Sequence, residues 1–382
     1  DALTTWILSR DDIEDVLGDL GRLGQVKPFL RDANGTHNSQ MSPGGGLVTR
    51  ASKVKLSDLR QHKLLGQGSF GKVWLVSHNG NKDGTVHALK SINKRRLLDS
   101  HQVESVIREK ELLGVLNSPF ILHLDASFQD AENVYLLLPV IPGGELYSFL
   151  RNHKRHDRGV PPPIAAFHIA CVVEALRHFH QRQIAYRDLK LENVLIDAMG
   201  FGKIVDLGFA KIVSDKTYTF LGTPEYLAPE VIMARGHNKA VDYWSLGVMC
   251  YELLVGMSPF YLDGSTQVEL FKRIVLRKFK IPDYVEPTAA AFLHALLQRH
   301  PDNRLGNLRR GNLDVRDHSW FLENNIDFRA LQKKQMEAPW KPNVKTPLDS
   351  SNFENVWAIP TSLGVAHSKR LTAEEQQMFK GF

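Results

Sequence analysis

The sequence predicts an α+β chain of two lobes, a small β-rich lobe followed by a larger helical one. Three observations carry that expectation. The first third of the chain holds short β-branched or aromatic runs, Val73-Trp74-Leu75-Val76, Val86-His87-Ala88-Leu89 and Val134-Tyr135-Leu136-Leu137-Leu138, which read as strands. From Pro162 onward helical spacing dominates, beginning with Ala165 to His180. A chain of 382 residues, 43% hydrophobic and 24% charged, is long enough and apolar enough to bury cores for both lobes.

Composition narrows the class. Lys and Arg number 48 against 42 Asp and Glu, a net charge of +6 that is mild at this length. It fits a solvated surface, with no face dedicated to nucleic acid or membrane. The two cysteines, Cys171 and Cys250, both fall in apolar stretches, so no disulfide framework is expected and a reducing, cytoplasmic compartment fits. The run from Tyr243 to Leu262 is interrupted by Glu252, Gly256 and Pro259, which predicts a buried core helix and no membrane span. The first residue is Asp1, with neither initiator Met nor signal peptide, and the chain reads as a piece of a longer one.

Taken in order, residues 1–23 form an amphipathic segment, with Ser9 as N-cap, Asp11 and Asp12 in the first turn, and Ile13, Val16, Leu17 and Leu20 on one face. Residues 24–58 are rich in Gly, Asn, Ser and Pro and read as a linker; Arg50-Ala51-Ser52 within it reads as plain linker first, with a phosphorylation site as the alternative. The glycine run Gly66-Gln67-Gly68-Ser69-Phe70-Gly71 leads into a strand at Val73, not a helix. That context separates it from the dinucleotide-binding G-x-G-x-x-G and makes it a hairpin whose backbone can lie over phosphates. A strand then ends in Lys90, and Glu109 lies in the helical pattern Val103, Val106, Ile107, Leu112, Leu113. A strand lysine paired with a helix glutamate suits a phosphate clamp. After the strand ending in Leu138, the segment Pro139 to Glu145 reads as a hinge. Pro139 lacks an N–H, so the Ile141 amide would donate to a bound base and the Pro139 carbonyl would accept.

The chemistry concentrates in Tyr186-Arg187-Asp188-Leu189-Lys190-Leu191-Glu192-Asn193 and in Asp206-Leu207-Gly208. Two short strands joined by the turn at Met199-Gly200-Phe201-Gly202 should bring Asn193 and Asp206 together. Two such oxygen ligands plus phosphate oxygens suit Mg²⁺. Asp188 is left to orient an attacking hydroxyl and take its proton. Thr219, once phosphorylated, would pair with Arg187, whereas Thr223 would contact Asp188 and Lys190 unmodified. Glu230 and Arg304 predict a buried structural ion pair, and Asp242 a brace for the catalytic-loop backbone.

These residues, in this order with Ala228-Pro229-Glu230, resemble the AGC-group serine/threonine protein kinases, over about residues 59–328 and a tail at 329–382. The resemblance implies the bilobal kinase fold with an AGC-type C-terminal tail, and transfer of the γ-phosphoryl of ATP, with Mg²⁺, to Ser or Thr in proteins. The ATP site it implies takes Gly66, Gly68, Ser69, Phe70 and Gly71 as its roof, and Val73, Ala88, Leu138, Pro139 and Ile141 around the base. Glu145, Glu192 and the tail residue Phe353 complete it, with Lys90, Asn193 and Asp206 at the phosphates. Asp188, Lys190, Asn193, Asp206, Lys90 and Glu109 are the implied catalytic set, with Asn193 and Asp206 holding metal. Glu145, Glu192 and Glu252 match positions that hold substrate arginines, and Phe220, Pro224 and Leu227 those that face the residue after the acceptor.

Ala170 to Ala175, Gly236-His237, and Tyr251-Glu252-Leu253-Leu254 look most like the cyclic GMP-dependent members, whereas Phe379-Lys380-Gly381-Phe382 is similar to the terminus of the cyclic AMP-dependent catalytic subunit, where terminal aromatics dock on the small lobe. Leu207 departs from the usual Phe, Leu191 from the commoner Pro, and residues 153–163 read as a surface insertion. None of these removes a catalytic group, so activity is expected over a non-catalytic scaffold. Residues 1–23 resemble the last helix of a cyclic-nucleotide-binding domain. No Gly-Glu … Arg-Ala-Ala cassette accompanies them, so cyclic GMP should not bind this chain, and upstream nucleotide domains would lie outside it.

Overall fold

The computed structural model describes residues 54–68, 71–79, 84–154, 158–213, 215–353 and 370–382. The expected helix at 1–23, nearly all of the linker with Arg50-Ala51-Ser52, and the loop residues Ser69 and Phe70 lie outside the described residues.

The small lobe is built on an antiparallel sheet of five strands: β1 (Leu59–Gln67), β2 (Gly71–His78), β3 (Val86–Asn93), β4 (Ala126–Gln129) and β5 (Asn133–Pro139), in the spatial order β1-β2-β3-β5-β4. The β1–β2 hairpin closes where the Gly68 N–H donates to the Gly71 carbonyl at 2.9 Å. At Gly71 a side chain is forbidden, because a Cβ would lie 1.9 Å from the Ser91 carbonyl oxygen of the adjacent strand. Register across β3 and β5 sets Ala88 opposite Leu138 and Lys90 opposite Leu136.

Helices α1 (Lys94–Asp99) and α2 (Val103–Val115) follow β3. Along α2 the buried positions are Val103, Val106, Glu109, Leu112 and Leu113, a helical stripe with one acid in it. Ile92, Leu97, Val103, Val106 and Val134 make a satellite core with Phe379, which is fully buried. The segment carrying Phe379 is held there by Arg95, which donates to both carboxylate oxygens of Glu375 at 2.6 and 2.9 Å, and by Lys94, whose ammonium reaches Gln376 at 2.7 Å.

The large lobe is helical: α3 (Leu146–His153), α4 (Pro162–His180), α5 (Pro229–Ile232), α6 (Ala240–Val255), α7 (Gln267–Val275) and α8 (Pro287–Leu296) precede three short helices, and a further short helix, Ala373–Gln377, lies in the segment held to the small lobe. Pro162 opens α4 where its missing N–H has no cost, and α4 then packs against α6 through nearly continuous apolar faces. The apolar run expected to form a core helix is α6, which ends at Val255. Gly256 caps it at φ +91°, a left-handed conformation suited to glycine. Among the described residues no helix is long and apolar enough to cross a membrane. Short antiparallel strand pairs complete the frame around the cleft: β6 (Ile184–Ala185) with β9 (Lys211–Ile212), and β7 (Val194–Ile196) with β8 (Gly202–Ile204).

Arg304 locks the base of the large lobe. Its guanidinium donates to both oxygens of Glu230 at 2.7 and 2.9 Å and to the Ala240 carbonyl at 2.8 Å, with all three groups buried and the Trp244 ring beneath it. Breaking such a pair strands a buried charge. Arg304→Ala should therefore cost about 3–5 kcal/mol of stability, read as a large drop in the thermal midpoint; a midpoint within a degree or two of the parent would contradict this.

Candidate active site

The catalytic segment is braced from below. Asp242, in the first turn of α6 and fully buried, accepts from the Tyr186 N–H at 2.9 Å, the Arg187 N–H at 2.8 Å and His180 Nε2 at 2.7 Å. Those bonds hold Arg187 at φ +69°, a conformation that non-glycine residues seldom adopt. The next residue, Asp188, is thereby turned into the cleft. Asn193 Nδ2 donates to the Asp188 carbonyl and to Oδ2, both at 2.8 Å, and Lys190 Nζ stands 3.3 Å from Oδ2. The Thr223 hydroxyl donates to Oδ1 at 3.3 Å and itself receives Lys190 Nζ at 3.1 Å. Burial pushes the Asp188 carboxyl up to about 6; the nearby charge of Asp206 adds to the rise, while Lys190 and the Asn193 bond oppose it.

The β7–β8 hairpin sets the second acid. The Val205 N–H donates to the Asn193 carbonyl at 3.0 Å, and the Tyr186 hydroxyl to the Val205 carbonyl at 2.6 Å, so Asp206 leaves the hairpin beside Asn193. Asp206 also has positive φ, +57°. Lys90 Nζ lies 3.9 Å from its Oδ1, and that lysine, more than any other group, holds the Asp206 carboxyl below the usual aspartate range. On its other side Lys90 donates to Glu109 at 2.7 Å. Burial works against the Lys90 ammonium, but the charges of Asp206 and Glu109 outweigh it and its pKa is raised. Burial raises the Glu109 carboxyl, although Lys90 and a backbone bond from Leu207 pull it back. Leu207 is itself fully buried, so the residue that departs from the usual Phe keeps an apolar packing place.

The hinge is stitched to β7: Gly143 N–H donates to the Ile196 carbonyl at 2.8 Å, and Ile196 N–H to the Gly144 carbonyl at 2.9 Å. Glu145 is exposed at the N-cap of α3. Asn352 donates to the Pro142 carbonyl at 3.1 Å, which brings Phe353 to a cleft of about 300 Å³ that it shares with Gly143, Phe149 and Trp340.

The residues present fit a bound nucleotide and metal. A Cβ at Gly66 or Gly68 would meet nothing within 4 Å, so the β1–β2 turn roofs open space into which a phosphate can press against backbone. Asp206 stays ionised, and Asn193 uses its amide nitrogen on Asp188, so its carbonyl oxygen carries neither of those bonds. Two hard oxygen donors of this kind suit Mg²⁺.

A second acidic group lies in the large lobe, where Glu252, Glu192 and Glu225 feel one another's charge. The Tyr226 hydroxyl donates to Glu252, and burial, reinforced by the charges of Glu192 and Glu225, pushes the Glu252 carboxyl up to about 7. The sequence pattern points to Pro224 and Leu227 but not to Glu225 and Tyr226 between them, because no periodicity marks a short 3₁₀ turn such as Pro224–Tyr226 as part of a charge cluster. Phe220 packs near Phe271 of α7, with ring centroids 6.3 Å apart. Thr219 is exposed, its hydroxyl 3.3 Å from that of Thr217, and among the described residues no hydrogen bond joins it to Arg187.

A family profile described as "Protein kinase domain" matches residues 59–321. The chain is similar to "cAMP-dependent protein kinase type 3" of Saccharomyces cerevisiae, 40% identical over 305 residues, which covers 80% of this chain and 74% of that protein. It is 39% identical over 303 residues to a "cAMP-dependent protein kinase catalytic subunit" of Dictyostelium discoideum, covering 79% of this chain and 45% of that one. Against a cGMP-dependent protein kinase isozyme of Drosophila melanogaster it is 39% identical over 306 residues, covering 79% of this chain and 32% of the relative. The chain thus spans most of the yeast protein and less than half of the other two.

The two cleft acids should titrate as a coupled pair. Asp206→Asn removes a negative charge that raises Asp188, so the Asp188 midpoint should move below about 6. Lys90→Met should move Asp206 the other way, upward. Carboxyl-carbon NMR titrations check both signs, and an unmoved Asp188 midpoint in Asp206→Asn would refute the coupling.

Proposed function

This chain belongs to the protein kinase family, and from that premise we propose that it transfers the γ-phosphoryl group of ATP to Ser and Thr hydroxyls in proteins that carry basic residues before the acceptor. The observation that carries this reading is the convergence of Lys90 on Glu109 at 2.7 Å and Asp206 at 3.9 Å, under a glycine turn and across from Asp188. When bound, ATP with Mg²⁺ supplies the transferable group and a counter-charge for its phosphates.

The chain's own residues do the rest by placement. Lys90, fixed by Glu109, offers a localised positive charge to phosphate oxygens. Asn193 and Asp206 offer the oxygen donors for the metal. Asp188 orients the acceptor hydroxyl and takes its proton, and Lys190, tied to Asp188 and Thr223, supplies positive charge beside the transfer. Such groups lower the barrier because their dipoles and charges are already aimed before reaction.

Glu192, Glu225 and Glu252 form the acidic wall that would receive a substrate guanidinium, with Glu145 as a separate exposed carboxylate across the hinge. Thr219 is assigned as a phosphorylated residue of the active form. Residues 59–328 would be the catalytic domain and 329–382 its tail. Regulation is assigned to the cyclic-nucleotide-dependent class. The pattern at Gly236-His237 and Tyr251 to Leu254 favours the cyclic GMP type, while the names of the yeast and Dictyostelium relatives favour the cyclic AMP type; assaying the product of the complete reading frame with each nucleotide separates them.

Lys90→Met and Asp188→Ala should each lower phosphoryl transfer to a basic peptide by roughly a hundredfold to a thousandfold, with unchanged circular dichroism. Parent-like turnover in Asp188→Ala would refute the assignment. In the parent, turnover should rise as pH climbs through about 6, where Asp188 becomes carboxylate. The advantage of an Arg-containing peptide over its Ala counterpart should shrink as pH falls through about 7, because protonation neutralises Glu252. A pH-independent advantage would remove Glu252 from the basic subsite.

A further inference from the structure

A cavity of about 200 Å³ lies where the segment after α2 meets the end of α4. Asn117, Phe120, Glu174, Arg177, His178 and Gln332 line it, and none of them belongs to the catalytic set. The acid among them is already matched. Glu174, almost wholly buried, accepts from Arg177 Nε at 2.9 Å and from Gln332 Nε2 at 2.7 Å, while Arg316 Nε stands 3.2 Å from its other oxygen. Two guanidiniums around one carboxylate leave a surplus positive charge.

That surplus is aimed but unused. The bond from Nε fixes the Arg177 guanidinium and leaves its Nη1 and Nη2 without hydrogen bonds among the described residues. His178, the next residue of α4, has a buried Nε2 with no partner. Burial first, and then the charges of Arg182 and Arg177, hold the His178 pKa below the ordinary histidine value, so the field at this ring is positive. Basic residues in a helix's last turn are favoured by the helix dipole alone. The dipole accounts for their charge, but not for an unpaired imidazole nitrogen beside an unpaired guanidinium edge at one hollow. Leaving a buried polar atom unpaired is costly.

We propose that this cavity binds a carboxylate, held by Arg177 Nη1 and Nη2 and by the His178 Nε2–H. The planar guanidinium edge matches the two oxygens of a carboxylate. The facing wall is fixed in place. Phe120 accepts from the Ile204 N–H at 2.8 Å and the Leu122 N–H donates to the Ile204 carbonyl at 2.9 Å, which ties the segment after α2 to β8. Val115, exposed at the end of α2 two residues before Asn117, gives the rim an apolar flank. Such a rim suits a Glu or Asp side chain with apolar neighbours on a partner protein better than a free dicarboxylate, which has nothing to lay against it.

The test uses the full chain, with calorimetry at constant ionic strength. Its probes are succinate and a capped Leu-Glu-Leu tripeptide, each against a neutral counterpart, succinamide and Leu-Gln-Leu. Both acids should bind saturably, the tripeptide more tightly, and neither counterpart should bind. The ¹⁵N signal of the His178 ring should move as each acid is added. Arg177→Gln keeps an amide donor for Glu174 but loses the fork, so the Kd for either acid should rise roughly tenfold, the scale of one charge-assisted contact. His178→Phe should weaken both acids while leaving the Arg177–Glu174 pair intact, and it decides the matter alone if Arg177→Gln does not fold. Tighter binding of succinate than of the tripeptide overturns the partner side chain as the source and leaves the carboxylate site standing. No saturable binding, equal binding of the neutral counterparts, or an affinity unchanged in both variants overturns the site itself.

Discussion

The active-site geometry depends on one fully buried carboxylate. Asp242 collects two consecutive backbone N–H groups and a histidine, and so fixes a stretch of chain whose own preferences would take it elsewhere. Left-handed φ at a non-glycine residue costs on the order of 1–3 kcal/mol, and Arg187 adopts it only because its amide is captured from beneath. The same turn carries Asp188 to its contacts with Asn193 and Lys190 and leaves the Arg187 guanidinium to donate to the Phe209 carbonyl. Asp188 and the segment around Phe209 are therefore tied to one anchor.

Three acids in the cleft have different protonation behaviour because their surroundings differ, not their chemistry. Asp206 has Lys90 as its dominant neighbour and stays charged. Asp188 is buried with only partial compensation, and its carboxyl is pushed up to about 6. Glu109 is the most sequestered and relies on Lys90 to remain a useful partner. Because Lys90 serves both Glu109 and Asp206, a shift of α2 changes the field felt across the lobe boundary.

Much of this was legible in the residue order. The glycine run, Lys90, Glu109, Asp188, Asn193 and Asp206 carry local signatures: a strand continuing past the glycines, an acid in a helical stripe, a short hairpin between Asn193 and Asp206. The core helix α6 was legible because an apolar run broken by Glu252 and Gly256 is too interrupted for lipid and too apolar for water, which leaves the protein interior. What escaped was side-chain company between distant segments. Glu225 sits in a 3₁₀ turn with no periodicity, and its grouping with Glu192 and Glu252 exists only once α6 and the catalytic segment are packed. The docking of Phe379 on α1 and α2 came from resemblance alone.

That docking has a consequence for how the protein is made. The apolar patch of Ile92, Leu97, Val103, Val106 and Val134 is closed by Phe379, and the ion pair that secures the closing segment spans 280 residues of sequence. The last residue of the patch, Val134, precedes Phe379 by 245 residues, so at about 5–20 residues per second of translation the patch is complete roughly 12–49 seconds before its cover exists. During that interval the nascent small lobe exposes an apolar face formed by β3, β5, α1 and α2, the kind of surface on which unfinished chains associate. A slower stretch of synthesis between α2 and the tail lengthens the time this face stays bare.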